Sequence, residues 1–419
     1  MAIYYIDSDA SLAGLSTLSG DTVMFKSNTT FNASAIPAGM ADKSNITIGY
    51  YGTGAKPIFS GAVIHLGNTF TQDAPNGVWW IDLGHNRGGC ISEDGVMMNY
   101  VNWADNVDTP TALQNSLTSM TVGSYLLDAK TNTSNYRMYI KTAGNNPVGK
   151  TYIVAETRFG ILATTNVKSN LVIRDIDFEY LSVGNAQIGK VTNCVVDNVG
   201  GYKMGGNYLM TIGFNVIYYG GGILFEHGTY NATQSNCVTE DVFDSAYSPQ
   251  VFVDNETIDG VYFLNNTARR CGLAAMEISI ASTTIYNSTV KNIEVDGLIV
   301  EGMGTGWSGL LANGYGDAIG IMNSAPSKNN KITNCDIKNV TVNGAQNIIK
   351  TSSTGGLVRY SNIYGTGIVT SLVNELSTTT RDINQYYNVS DSSGHTFAGK
   401  TTWFETPGIA LPTRTILSR

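Results

Sequence analysis

TNCVVDNVGG (192–201), SNCVTEDVF (235–243) and TNCDIKNV (333–340) share one plan: a turn asparagine, then a short run in which apolar and polar residues alternate. FNVIYYGGG (214–222), NNTARRCG (265–272), KNIEVDG (291–297) and SNIYGTG (361–367) repeat it and close on glycine. Asn193 to Asn215 spans 22 residues, Asn215 to Asn236 spans 21, and Asn292 to Asn334 spans 42, two such steps. A period in the low twenties signals stacked repeats. Neither a leucine scaffold nor amphipathic helices fill the repeat. The alternation, as in inward Cys194 and Val196 against outward Val195 and Asp197, marks short strands punctuated by Gly, Asn, Ser and Thr. The fold expected is all-β, a right-handed parallel β-helix. A recurrent asparagine has a task there, since its amide can bond the turn backbone and the asparagines of the coils above and below.

Composition agrees. Only 14% of the 419 residues are charged, 46 are glycine, and no Pro-rich linker or charge run divides the chain. The net charge of −8 argues against nucleic acid or an anionic membrane as partner, and weakly against a strongly polyanionic substrate. The five cysteines, Cys90, Cys194, Cys237, Cys271 and Cys335, form no CxxC pair and no metal spacing with the four histidines, so neither metal nor cofactor is expected. Cys194, Cys237 and Cys335 each follow a repeat asparagine and are expected to be apolar plugs in one interior slot. MAIYYIDSD carries no secretory signal and no run of eighteen apolar residues occurs, so neither Sec export nor membrane insertion is expected.

Four regions follow along the chain. Residues 1–62 read as the β-helix entry, with Val23 and Phe25 and then Ile46 and Ile48 alternating inward. Residues 63–150 break the period, and GVWWIDL, SEDGVMMNYV, GSYLLDA and NYRMYIKTAG read as strands of an inserted β-rich module. Residues 151–370 are the coils that carry the glycan groove, and 371–419 a less regular closure.

GDTVMFKSNTTF (20–31), ITIGYYGTGAKPIFSG (46–61), SYLLDAKTNTSNYRMYIKTAGNNP (124–147) and NLVIRDIDFEYL (170–181), followed by the Asn-Cys coils, resemble the pectate-lyase-like right-handed β-helix proteins. Within that superfamily the chain is most similar to bacteriophage tailspike depolymerases. The resemblance implies a homotrimer that binds and cleaves a bacterial capsule or lipopolysaccharide glycan, sited on a virion beside other phage tail proteins or released by lysis.

A coil repeats each side-chain position every ~4.8 Å, so charged residues at matching offsets form ladders. Glu226 lies eleven residues after Asn215 and Glu277 eleven after Asn266. In AAMEISI the apolar Met276, Ile278 and Ile280 face in and put Glu277 out, and GILFEHG exposes Glu226 by the same alternation. Two coils would separate them by about 9–10 Å, near the ~6.5–9.5 Å of an inverting glycosidase pair. Asp241, Asp244, Glu240 and Tyr247 on the intervening coil could shorten that gap, and Asp317 is a further candidate that could instead bond turn backbone. Asn236 to Asn265 spans 29 residues, and the surplus in 244–256 is expected to stand out as a loop walling the groove. Substrate contacts are expected from His227, Arg269, Arg270, Lys203, Tyr208 and Trp307, although aromatics also pack solenoid interiors and the arginines can form plain surface pairs. A polysaccharide lyase remains open, with Lys203, Arg269, Arg270, His227 or Tyr247 as base or as the cation facing a uronate, and so does a non-catalytic glycan-binding spike.

Overall fold

Each turn of the chain lays down three strands, and each strand pairs in parallel with its counterpart one turn on. The first wall runs through Lys168–Arg174, Val191–Asp197, Thr229–Ser235, Thr257–Leu264 and Thr289–Asp296. The second holds Asp177–Glu179, Gly200–Met204, Val238–Val242, Thr267–Arg269 and Ile299–Glu301. The third holds Thr157–Ala163, Leu181–Ile188, Ile223–Phe225, Tyr247–Val251, Ala274–Ile280 and Asp317–Asn323. Strand Cys335–Thr351 bends through all three walls, and Leu357–Glu375 pairs along its length. This is a right-handed parallel β-helix. The computed structural model describes residues 1–402 apart from 74–76, 102–109, 130–133, 213–214, 227, 309–315, 353, 355, 376–382, 393–395 and 398–399. No helix among them is long and apolar enough to cross a membrane.

The interior is built by the alternation. Val23, Phe25, Ile46 and Ile48 are wholly buried, and Phe31, Phe59 and Phe178 stack at 5.3 and 5.4 Å in consecutive turns. Inward rows of this kind supply the apolar burial that a two-sided solenoid wall needs, because its outer face remains polar.

The asparagines form more than one ladder, which corrects the single period expected above. Asn45, Asn170, Asn193, Asn231, Asn292 and Asn334 hold one bend of the first wall, all with φ between 52° and 60°. Asn198, Asn236, Asn265, Asn339, Asn362 and Asn388 hold the corner between the first and second walls, again left-handed. Asparagine suits both because it tolerates this conformation and its amide donates to the ladder neighbour, as from Asn193 to Asn170 (3.1 Å) and Asn231 to Asn193 (2.7 Å). These bonds join residues 23 and 38 apart, and the Asn334 to Asn292 bond joins residues 42 apart, so 42 residues make one extended coil. Asn215 belongs to neither ladder, because it opens the second strand of a hairpin, Asn207–Ile212 with Asn215–Tyr219.

The cysteines divide in the same way. Cys194 opposes Leu171 and Ala232 inside the first wall, whereas Cys237 follows the corner asparagine, so the expected single slot is two. All five are buried and unpaired. Thiol titration is therefore expected to find five reactive groups in unfolded protein without reductant and almost none in the native state; fewer than five after unfolding would reveal a disulfide.

The insertions share one corner. Strand Ile58–Ser60 pairs with Asp177–Glu179, and the third-wall strand of that coil begins only at Thr157. Two small sheets occupy the residues between, one of Ala62–Leu66, Ile91–Glu93, Val96–Met97 and Thr151–Ala155, the other including Val78–Asp82, Ser124–Asp128 and Arg137–Lys141. A helix, Pro110–Ser119, accompanies them where only strands were expected. The hairpin of Asn207–Ile212 with Asn215–Tyr219 and the described residues 302–308 leave the solenoid at the same corner, between the second and third walls. The module docks there through a core of its own that takes in Tyr180, Phe243 and Trp307 of the solenoid.

Candidate functional site

Three buried carboxylates, Glu226, Glu277 and Asp317, lie on or beside the third wall. Ile223, Tyr247, Met276 and Ile319 share one inward row, which turns Leu224, Ser248, Glu277 and Gly320 outward in the next. Glu277 thus points away from the core, as its neighbours dictate. It is nevertheless only 5% exposed and Glu226 4%, so neither lies open on the surface as the alternation suggested. Alternation fixes which side of a sheet a residue takes, but what later covers that side is a tertiary matter.

Glu226 and Glu277 do not face each other. Leu224, not Glu226, is in register with Glu277 through Ser248, so the two glutamates are two strands apart and offset by two positions. Strand spacing and rise then give roughly 11–12 Å between their Cα atoms, beyond the expected gap. Glu226 bonds Gln187 on the preceding coil instead.

The close pair is Asp244 with Glu277. Ser245 Oγ lies 2.8 Å from Glu277 Oε2 and 3.5 Å from Asp244 Oδ1. One hydroxyl carries one proton, so it serves one carboxylate at a time, and the repulsion that remains is relieved by protonating the other. Desolvation, and then the charge of Glu277, push the Asp244 carboxyl up to about 7. Desolvation also raises Glu277, against hydrogen bonds from Ser245, Gln250 and Ser279. Both carboxyls are thus pushed toward keeping a proton at higher pH than an exposed carboxyl would.

Asp317 begins the adjacent strand. Asn347 Nδ2 donates to it at 2.6 Å, Lys350 Nζ lies 3.3 Å away, and Ser371 supports Asn347 at 2.7 Å. Burial raises its pKa against those partners. Gly320 separates Glu277 from Lys350 in one outward row, and the space beside its Cα holds nothing closer than ordinary contact. The wall therefore presents a serine-bridged carboxylate pair, a side-chain gap and a cation in sequence.

The remaining candidates take other places. Residues 247–251 form a third-wall strand rather than a loop, and the Tyr247 ring is fully buried, its hydroxyl within hydrogen-bonding distance of two carbonyl acceptors, Cys237 O (2.9 Å) and Thr267 O (2.5 Å). Trp307 is buried against Phe243 and Tyr125, with Nε1 donating to Asp241 O at 2.9 Å, so it fastens the module and has no open face. Arg270 clasps Asp241 (2.9 Å) and Glu240, and Arg269 bonds Glu301 at 2.6 Å, a surface ion network at the second wall. Lys203 Nζ approaches Tyr180 Oη at 3.3 Å. His227 lies outside the described residues, as does the Tyr208 side chain. Sequence reasoning passed over Lys350, Ser245 and Gln187 as partners; Gly320, as the lone glycine in DAIGIM, was a visible sign of a gap.

Glu226 yields a stability prediction. Desolvation lifts it from 4.5 to about 7, so between about pH 4.5 and 7 the folded chain keeps a proton that the unfolded chain releases. Stability due to this group is then full below about pH 4.5, falls as pH rises to about 7, and is flat beyond. The cost is about 3 kcal/mol at its plateau. Glu226→Gln is expected to leave the melting temperature at pH 4 unchanged and raise it at pH 8; an equal slope in both proteins would place Glu226 in water.

Among the described residues no group of three histidine, cysteine or carboxylate side chains is arranged to hold a metal ion. No family model matches the chain, and no curated protein does. Solved structures are similar to it at low identity: XylC in complex with xylose (9% identity, 93% of this chain and 67% of that one, TM-score 0.45) and an exopolygalacturonase from Thermotoga maritima (11%, 97% and 92%, 0.37). The receptor-binding domain of the siphovirus 9NA tailspike is similar at 12% identity over 99% of this chain and 73% of that one, with a TM-score of 0.32. Such values bear on no residue of the site. On its own strand registers and corner ladders, the chain is a right-handed parallel β-helix.

Proposed function

We propose that this protein is a tailspike-like depolymerase that hydrolyses a bacterial surface polysaccharide, with Asp244 and Glu277 as its catalytic carboxylate pair. The observation that supports this reading is the Ser245-bridged carboxylate pair, with its proton held to about pH 7. Glycoside hydrolysis needs one carboxyl that still carries a proton and one that has lost it, and a coupled pair meets that need at neutral pH. Asp317 and Lys350 would line the same wall and position sugar hydroxyls.

A lyase is the second reading, favoured by Lys350. It lies across Gly320 from Glu277 and could neutralise a uronate carboxylate while a neighbouring base takes the adjacent proton. Product ends separate the readings on a panel of capsules and O-antigens. New reducing ends without unsaturated uronate absorbance support hydrolysis, reducing ends with that absorbance support elimination, and binding without either supports a receptor spike. The tailspike reading also carries a trimer located on a virion: light scattering is expected to give about three times the 44.9 kDa chain mass, and a monomer would remove the tailspike analogy while leaving the chemistry.

A further inference from the structure

The asparagine ladder of the first wall has one missing rung. Asn193 stacks under Asn231, the next position in register is Gly260, and Asn292 and Asn334 continue above it. The backbone does not demand the glycine. Its φ of +72° is the left-handed conformation that asparagine adopts at every neighbouring rung, and an added Cβ would meet nothing closer than 3.6 Å. With the rung absent, Asn292 donates to Asp259 Oδ1 at 2.6 Å in place of a ladder amide.

The gap opens into a groove of about 510 Å³ across the coils. Tyr230, 41% exposed, and Tyr262 flank the missing rung, with Asp259 and Glu294 beside them and Arg359 at the far end. We propose that this dent is a glycan-binding subsite for a neutral, hydroxyl-rich oligosaccharide, on a different wall from the Asp244 and Glu277 pair and separate from cleavage. A tyrosine face takes the C–H face of a pyranose ring, while the ladder amides and Asp259 take the hydroxyls that the missing amide would otherwise satisfy. Each lining carboxylate has a cation beside it, Asp259 with Lys291 at 3.1 Å, Glu294 with Lys338 at 2.9 Å and Asp336 with Arg359 at 4.0 Å. With those cations already engaged, a uronate carboxylate gains no open partner and neutral sugars are favoured.

The test uses the full chain in native gels cast with dextran, galactomannan or arabinoxylan, with polygalacturonate as the acidic comparison. The parent protein is expected to be retarded by at least one neutral polymer. Gly260→Asn restores the rung, so it is expected to keep or raise the melting temperature while weakening that retardation tenfold or more. A Tyr230→Ala/Tyr262→Ala double variant is expected to lose it as well, and carries the test should the first variant misfold. Equal retardation of parent and Gly260→Asn overturns the proposal, as does retardation by polygalacturonate alone or by no polymer. Cleavage is scored separately by product ends on the capsule and O-antigen panel, so a chain that binds through the dent but cuts none of those glycans counts against the depolymerase reading and leaves the subsite standing.

Discussion

Glu277→Gln and Asp244→Asn are each expected to lower turnover by on the order of 10²–10⁴ on a polysaccharide that the parent cleaves. Each change keeps side-chain shape and one hydrogen-bonding oxygen and removes the transferable proton. Because the two carboxyls are coupled through Ser245 and through their charges, the double variant is expected to be little worse than the poorer single one, as for residues that act as a unit. The pair also sets the pH dependence. The acid must be protonated, and with Asp244 raised to about 7 by burial and by Glu277, turnover is expected to fall as pH rises through about 7. Glu226→Gln, two strands away and out of register, is expected to keep turnover within a few-fold of the parent. Near-normal turnover in both Glu277→Gln and Asp244→Asn would move the chemistry to Asp317 and its partner Lys350.

The second large effect is expected in stability. Lys168 is wholly buried where the early coils meet the strand that resumes the solenoid after the inserted module. Its ammonium is 2.8 Å from Asp42 Oδ1 and donates to Asn166 O (2.8 Å) and Gly189 O (2.7 Å), while the Asp42 carboxylate accepts from Asn166 N at 2.9 Å. Desolvation lowers the lysine pKa, and the Asp42 contact opposes it. Removing one partner leaves an uncompensated buried charge, so Lys168→Ala or Asp42→Ala is expected to cost about 3–5 kcal/mol. Replacing both by apolar residues of similar volume is expected to recover most of that loss. Denaturant unfolding of the two single variants and the double variant measures the effect; a loss under about 1 kcal/mol in both singles would mean that water reaches the ammonium.

What the sequence determined by itself was the solenoid and the side of each wall a residue takes. Apolar residues two apart must share a face, so Val23 with Phe25 and Met276 with Ile278 declared the interior, and the recurrent asparagines declared stacked turns. Sequence could not assign those asparagines to their ladders. The spacing from Asn193 to Asn215 imitates a coil, yet Asn215 lies in a hairpin, and only strand register shows that Asn193 stacks on Asn231. The same limit decided the site. Glu277 was legible as outward, but its burial and its partner depended on a coil 29 residues long placing Asp244 and Ser245 beside it. Trp307 and Tyr247 show the converse: both suit sugar stacking by type, and both were claimed by packing, one under the inserted module and one inside the coil. Alternation is a local property of the chain, set by the geometry of one strand. Register, cover and pKa arise where coils of unequal length meet, and those lengths take effect only once the chain is wound.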